Sequence, residues 1–182
     1  MDRTVDFEEL LNRYESKIFN LILRLVGDYE EAADLTQETF IQAFKALPEF
    51  RGESQIYTWL YSIAVNRTKN RLKQLERQQR LVPESLDEPI AREDGDLERE
   101  VPDWTYSPEQ VLERKELQQV VQREIQNLPE DFREVIVLRD LQGLSYRDIA
   151  HILGISVEAL KSRLFRARSC LRERLRPYLE GG

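Results

Sequence analysis

The side chains best suited to binding chemistry lie on one face of a helix predicted near the end of the chain. This helix begins after Ser156 and continues to about Tyr178. Steps of 100° per residue divide it into an apolar stripe and an opposite polar face. The stripe comprises Val157, Leu160, Leu164, Ala167, Leu171, Leu175 and Tyr178. The opposite face comprises Glu158, Ser162, Phe165, Arg166, Ser169, Arg172 and Arg176, with Lys161 at its flank. Cations can hydrogen-bond guanine in the major groove, and an aromatic ring can contact a thymine methyl. The face is therefore a candidate for reading duplex DNA, with an ordinary solvated surface as the alternative.

Residues 50–73 form a second candidate surface, in which aromatic residues precede cations. The aromatics are Phe50, Tyr57, Trp59 and Tyr61, and the cations are Arg67, Lys69, Arg71 and Lys73. Single-stranded nucleic acid is bound by such a combination, because bases stack on aromatic rings while cations follow the phosphates. Each aromatic could equally belong to a core. Tyr57 and Trp59 cannot both face inward beside Leu60 and Ile63, so at least one of them is expected to be exposed.

Catalytic and metal chemistry are not expected from this composition. One histidine, His151, and one cysteine, Cys170, cannot build a Cys/His zinc cage or an internal disulfide. A single thiol suits a reducing compartment. The sequence contains no run of about 18 uncharged apolar residues, so no membrane span is expected. The first residues lack the order of charged and apolar residues that is typical of a secretion signal. We therefore expect a cytoplasmic protein that is not an enzyme, without catalytic residues, metal ligands, cofactor or membrane insertion.

Helical periodicity and capping residues supply the elements that must position these surfaces. The first helix is predicted over residues 7–26 and ends at Gly27. Asp28 and Glu31 resemble a capping box for a second helix, which runs to residue 47 before Pro48. A third begins near residues 55–58 and continues to residue 75. These three make one all-helical block.

Helices resume at residue 107, where a serine cap precedes a proline at the first helical position. This helix ends before Pro129, and the next covers residues 131–142. Ser145 then caps a short helix that ends at Gly154, and Ser156 caps the last one. Two helices joined by a short glycine-containing turn form the helix-turn-helix pattern of DNA-binding proteins.

Charge separates the two helical blocks. The whole chain carries a net charge of -7, and residues 84–103 alone hold nine acidic residues against two arginines. The remainder is formally neutral, so its cations can cluster. This acidic segment shows no periodicity and is expected to act as a linker. The sequence thus predicts an all-α protein of two small domains, 1–80 and 107–182, joined by an acidic linker over 81–106.

Several motifs in this order resemble the extracytoplasmic-function (ECF) branch of the bacterial sigma-70 family. DLTQETF at residues 34–40 is similar to region 2.2 of that family. FRGES at 50–54 and YTWLYSIAVNR at 57–67 are similar to regions 2.3 and 2.4. LPEDFR at 128–133 and the stretch from GLSY at 143–146 to LFRAR at 164–168 are similar to region 4. The likeness covers roughly residues 5–80 and 107–178.

The resemblance implies a role for each surface. The residues implied to bind the β′ clamp helices of core RNA polymerase are Asp34, Leu35, Gln37, Glu38 and Phe40. Those implied to bind the single-stranded -10 element are Phe50, Tyr57, Trp59, Asn66, Arg67 and Lys69, with Phe50 and Asn66 at positions that capture a flipped base. Those implied to bind duplex -35 DNA are Lys161, Ser162, Arg163, Phe165 and Arg166. Lys161 stands where arginine is frequent in the family, and lysine lacks the bidentate fork of arginine.

The resemblance also implies partners. They are core RNA polymerase, through its β′ clamp helices and β flap, promoter DNA and an anti-sigma factor, in the setting of a stress response. The acidic linker would enter the cationic nucleic-acid channels of the polymerase, or else serve only as a spacer. One alternative is an autonomous helix-turn-helix regulator, but it would need a sensor domain, typically with parallel strands, and the sequence predicts none. An RNA-binding adaptor would leave the helix-turn-helix without a purpose.

Overall fold

The computed structural model describes residues 6–81 and 108–180, and within these ranges every regular element is helical. The helices are α1 Phe7–Val26, α2 Tyr29–Ala46, α3 Ile56–Leu81, α4 Pro108–Gln126, α5 Glu130–Ile136, α6 Tyr146–Leu153 and α7 Val157–Leu179. A short 3-10 turn, Leu47–Glu49, follows α2, and a π-helical turn, Val137–Leu141, continues α5. The all-α prediction is confirmed. The predicted linker lies outside the described residues except for Leu81, which ends α3, and so does the Ser107 cap.

The capping residues predicted from the sequence fix most of the helix ends. The Asp28 carboxylate accepts a hydrogen bond from the backbone N–H of Glu31 at 2.9 Å. Ser145 and Ser156 accept equivalent bonds at the starts of α6 and α7. Each of these oxygens satisfies an N–H group that has no partner within its own helix. The short helix-turn-helix connection is therefore defined by local chemistry.

Two helices differ from their predicted bounds. α3 continues beyond residue 75 to Leu81, because residues 76–81 are good helix formers without glycine or proline. The predicted helix over residues 131–142 is split, since α5 gives way to the π-helical turn before Gly143. Neither difference moves a candidate binding residue out of a helix.

The two helical blocks, α1–α3 and α4–α7, pack against each other. In the first block the core includes Ile18, Leu21 and Leu60, and in the second it includes Leu160 and Leu164. The buried residues of both blocks belong to one continuous apolar cluster. α1 contacts α4, and α3 contacts α6. None of the described helices is both long enough and apolar enough to cross a membrane.

Gly27, at the end of α1, lies where the two blocks meet. Its φ is 73°, and a Cβ built on it would lie 2.8 Å from Cδ of Gln126 in α4. The Gln126 amide donates a hydrogen bond of 2.5 Å to the backbone oxygen of Arg24, in the last turn of α1. This glycine therefore serves both a left-handed backbone and a close contact between blocks.

Replacing Gly27 with alanine should lower the free energy of unfolding by more than the roughly 1–2 kcal/mol that left-handed backbone strain alone costs. The added methyl group would also displace Gln126. Urea denaturation followed by circular dichroism measures the loss. Gly154→Ala is the matched control, because Gly154 also ends a helix with φ 64° but has open space at its Cβ. Equal losses in the two variants would show that Gln126 moves aside without cost.

Candidate nucleic-acid interface

The face of α7 that carries the predicted duplex-DNA residues is exposed, and its opposite stripe holds the helix in place. Leu160, Leu164 and Ala167 are at most 2% exposed, whereas Phe165 is 73% exposed. Lys161, Ser162 and Arg166 are also exposed. Tyr178, predicted to complete the buried stripe, is 47% exposed. The second block thus buries mainly the first three turns of α7 and leaves its last turns in solvent.

Two arginines of α7 bind acidic residues of their own block. Arg163 lies 3.8 Å from Asp131, and its side chain is 23% exposed. Arg168 makes a bidentate pair with Asp140, at 2.5 and 3.0 Å, and this hydrogen bonding raises the pKa of the guanidinium. Among the predicted -35 residues, Arg163 is therefore turned towards α5 rather than outward. Lys161, Ser162, Phe165 and Arg166 form the exposed group, which we call the α7 face.

The predicted polymerase-binding residues of α2 divide into a surface group and a core group. Asp34, Gln37 and Glu38 are exposed. Leu35 and Phe40 are only 4% and 5% exposed, so their side chains stabilise the first block instead of offering a docking contact. Their apolar character is explained by burial alone, because α1 and α3 pack on that side of α2.

Two exposed apolar residues on α2 were not among the predicted polymerase-binding residues. Ile41 and Phe44 are 54% and 62% exposed. They follow Gln37 at spacings of four and seven residues, which places all three on one side of the helix. That spacing could have identified them. The Phe44 ring is anchored edge-on against Phe7, with ring centroids 5.0 Å apart.

Arg67, predicted to bind DNA, is held by acceptors on α2. Its guanidinium donates to Glu38 at 2.6 Å and to Gln42 at 2.8 Å. One turn further along α3, Arg71 makes a bidentate pair with Glu31, and this pair lowers the pKa of Glu31. A groove between α2 and α3 is therefore lined by these two ion pairs together with Asp34.

Three of the four predicted aromatic residues, Phe50, Tyr57 and Trp59, are half-buried, whereas Tyr61 is buried in the core. Phe50 and Trp59 pack together, with ring centroids 5.0 Å apart and planes inclined by 43°. Tyr57 and Trp59 are both intermediate in exposure, so neither is fully in the core and neither is freely exposed. Asn66 is exposed. Its amide offers both donors and acceptors to a base.

Tyr57 and its neighbour bind a carboxylate from the second block. The Tyr57 hydroxyl donates to Asp148 Oδ2 at 2.9 Å, and the Thr58 hydroxyl donates to Oδ1 at 3.1 Å. The bond to Asp148 raises the pKa of Tyr57. Burial alone would raise the pKa of Asp148, but hydrogen bonds from Ser145, Tyr57 and Thr58 together hold it below its usual value. The ionised form of this carboxylate is therefore favoured.

Lys69 also binds the second block. Its ammonium lies 3.2 Å from Glu134 Oε1, and the Glu134 side chain is 2% exposed. Burial raises the pKa of Glu134, and the opposing effect of Lys69 only partly offsets this. The sequence did not indicate the contacts of Glu134 and Asp148 with the first block, because these contacts join positions 65 and 91 residues apart.

Comparison with known proteins shows to which family this chain belongs. The chain matches the model for sigma-70 region 2 over residues 10–78 and the model for sigma-70 region 4 over residues 118–171. It is similar to the RNA polymerase sigma-H factor of Pseudomonas aeruginosa and to the ECF RNA polymerase sigma-E factor of Escherichia coli. Each is 41% identical to it over 95% of this chain and 88% of the relative.

Solved structures show the same likeness. The sigma factor RpoE of Bartonella quintana, in complex with the anti-sigma factor NepR, matches 94% of this chain and 97% of its own, at 26% identity and TM-score 0.68. CnrH, in complex with the cytosolic domain of CnrY, matches 94% and 88%, at 25% identity and TM-score 0.63. Two sigma regions in one chain do not favour an autonomous helix-turn-helix regulator. The chain belongs to the extracytoplasmic-function branch of the sigma-70 family and is an RNA polymerase sigma factor.

Proposed function

We propose that this sigma factor directs core RNA polymerase to promoters by binding DNA through α7 and α3. The α7 face carries the proposal, because it combines exposed cations and an exposed aromatic ring on a helix whose other side is fixed in the core. Such a helix can enter the major groove of -35 DNA and contact base edges. Arg163, paired with Asp131, contributes to the position of the helix rather than to a base contact.

The start and middle of α3 bind the single-stranded -10 element in this proposal. The Phe50–Trp59 pair supplies ring surface for a base, and exposed Asn66 supplies hydrogen bonds to its edge. Reading that edge requires the base to leave the stack. Tyr57, Arg67 and Lys69 complete the surface only after exchanging their present acceptors for DNA phosphate.

The exposed side of α2 is the proposed docking surface for the β′ clamp helices of core polymerase. It consists of Asp34, Gln37 and Glu38 together with Ile41 and Phe44. Polar residues beside exposed large apolar ones are typical of protein interfaces, whose buried centre is apolar and whose rim is polar. The second block, with α7, is the proposed contact for the β flap.

The proposal includes an anti-sigma partner and the domain boundaries 1–80 and 107–182. The sigma factor RpoE described above is in complex with the anti-sigma factor NepR, and CnrH is in complex with the cytosolic domain of CnrY, and this supports the first point. The two family models, over 10–78 and 118–171, support the second. The sigma factor contributes binding alone, acts in the cytoplasm where its promoters lie, and leaves the polymerase to form the RNA bonds.

Run-off transcription with core polymerase on genomic fragments tests this function. The purified chain should start transcripts at defined positions, and aligned start sites should share two elements, one for α7 and one for α3. A gel shift with the chain alone on the same fragments is the control. If the chain fails to start transcripts with core polymerase, or shifts duplex promoters tightly and specifically by itself, the proposed division of labour is wrong.

A further inference from the structure

Most arginines of α7 are neutralised by acidic residues of the same block, but Arg172 is not. Within residues 6–81 and 108–180, four of the six arginines of α7 make ion pairs: Arg163 with Asp131, Arg168 with Asp140, Arg174 with Glu124, and Arg176 with Glu173 and Glu180. The other two, Arg166 and Arg172, are exposed and have no ion pair in this part of the chain. Arg166 belongs to the α7 face, whereas Arg172 lies beyond it and has no role in the proposed function.

Arg172 lines a cleft of about 340 Å³ between α7 and the start of α6. Lys161 and Ser169 also line it from α7, and Tyr146, the first residue of α6, lines it from outside that helix. The guanidinium of Arg139 lies 4.7 Å from the centroid of the Tyr146 ring. Such a contact between a cation and a ring is attractive and restricts the position of the ring. The cleft is therefore formed by a held tyrosine and one side of α7.

The charges around the cleft leave it cationic. Arg168 is part of the lining, but Asp140 accepts two hydrogen bonds from its guanidinium, at 2.5 and 3.0 Å, and cancels its charge. Lys161 and Arg172 have no such partner among the described residues, and none of the described residues that line the cleft is acidic. Cationic side chains beside serine and tyrosine hydroxyls are the groups that bind the phosphate oxygens of DNA. The cleft therefore offers a site for one phosphate.

Spacing along α7 places Arg172 at the edge of the groove that the α7 face would enter. Phe165, Ser169 and Arg172 follow one another at intervals of four and three residues, so they lie on one side of the helix. At 1.5 Å per residue, the Cα of Arg172 is about 10 Å further along the axis than that of Phe165. The major groove is about 12 Å wide, and the first residues of a recognition helix contact its bases. With Phe165 at the base edges, Arg172 is level with the phosphates that border the groove.

We propose that the cleft binds one backbone phosphate beside the -35 element, with Arg172 and Ser169 as ligands and Tyr146 closing the site on the side of α6. This inference rests on the proposed function of α7 and adds a contact that carries no base information. A contact of this kind fixes the register and orientation of a protein on the duplex. Lys161 and Arg166 then read the sequence, whereas Arg172 anchors the helix on any sequence.

Neutralising single phosphates of the DNA tests this contact. Promoter fragments found by run-off transcription are synthesised with one uncharged methylphosphonate at each successive position of the -35 region. Their affinity for core polymerase carrying the full chain is measured by filter binding. The Arg172→Ala variant should bind the unmodified fragment about ten-fold more weakly than the wild type, since a hydrogen bond between charged groups is lost. At one position the methylphosphonate should weaken wild-type binding by a similar factor and have no further effect on the variant.

The matched control is Arg174→Ala, which removes an arginine two residues further along α7, where Glu124 binds the side chain. It should respond like the wild type at every phosphate. Changing base pairs of the -35 element separates anchoring from reading. Arg172→Ala should weaken binding equally on all these sequences and reduce the slope of log affinity against log salt by about one. Lys161→Ala should instead reduce discrimination between them.

Three results would overturn the inference. They are the absence of any phosphate whose effect depends on Arg172, a loss in Arg172→Ala that varies with the -35 base pairs, and weaker binding of Arg172→Ala to core polymerase without DNA. The last result would show that the cleft docks protein. The two proposals fail separately. Wild-type transcription that is indifferent to -35 DNA contradicts the proposed role of α7, whereas -35-dependent transcription without a phosphate linked to Arg172 contradicts only this site.

Discussion

Alanine in place of both Lys161 and Arg166 should reduce promoter-specific transcription by roughly 30-fold or more. A good contact between a cationic side chain and a base edge contributes about 1–3 kcal/mol, and each 1.4 kcal/mol corresponds to a factor of ten. Both residues are exposed on the α7 face, so the substitutions should leave the fold unchanged. Run-off transcription with core polymerase, at limiting sigma factor, measures the effect.

The control for this prediction removes the same charge from the same helix. Arg174 and Arg176 lie near the end of α7 and pair with Glu124 and Glu173. Replacing both with alanine should lower transcription only slightly, and the loss should shrink at higher salt, because distant cations act through long-range attraction to phosphate that salt screens. Equal losses in the two variants would mean that α7 attracts DNA by charge without reading it.

Replacing Leu164 with alanine should lower the free energy of unfolding by about 2–5 kcal/mol. Truncating a buried leucine removes apolar contacts and leaves a cavity that the surroundings only partly fill. Leu164 is 2% exposed and packs in the cluster shared by α5, α6 and α7. Urea denaturation followed by circular dichroism measures the change.

The next residue provides the control. Phe165 is 73% exposed, so Phe165→Ala should change the free energy of unfolding by less than about 0.5 kcal/mol. It should nevertheless reduce promoter-specific transcription, since the ring is part of the α7 face. Two adjacent residues would then separate stability from DNA binding. A large loss of stability in Phe165→Ala would show that its ring packs against the protein and is unavailable to DNA.

Local sequence chemistry was sufficient to predict most helices and their ends. Asp28, Ser145 and Ser156 cap their helices as expected, since each bond connects residues three positions apart. Gly27 and Gly154 adopt the left-handed backbone that their positions at helix ends predicted. The bounds that differed, in α3 and α5, lie where no strong capping residue stands.

Periodicity alone was less reliable for deciding which residues of the candidate surfaces are exposed. It separated Leu164 from Phe165 correctly, because the two point almost oppositely from one helix. The family resemblance placed Leu35 and Phe40 in the polymerase-binding set, but the structure buries both. Exposure on α2 depends on where α1 and α3 pack, and that information is not contained in the helix itself.

The sequence by itself determined an all-helical chain, the helix-turn-helix and the cationic face of α7, because these depend on bonds and spacings within one or two turns. Only the tertiary structure decided that Tyr57 and Thr58 bond to Asp148 and that Lys69 pairs with Glu134. Those partners lie 65 to 91 residues apart and meet through the packing of whole helices. No local pattern of residue types specifies such a meeting, since it depends on how the two blocks fit together.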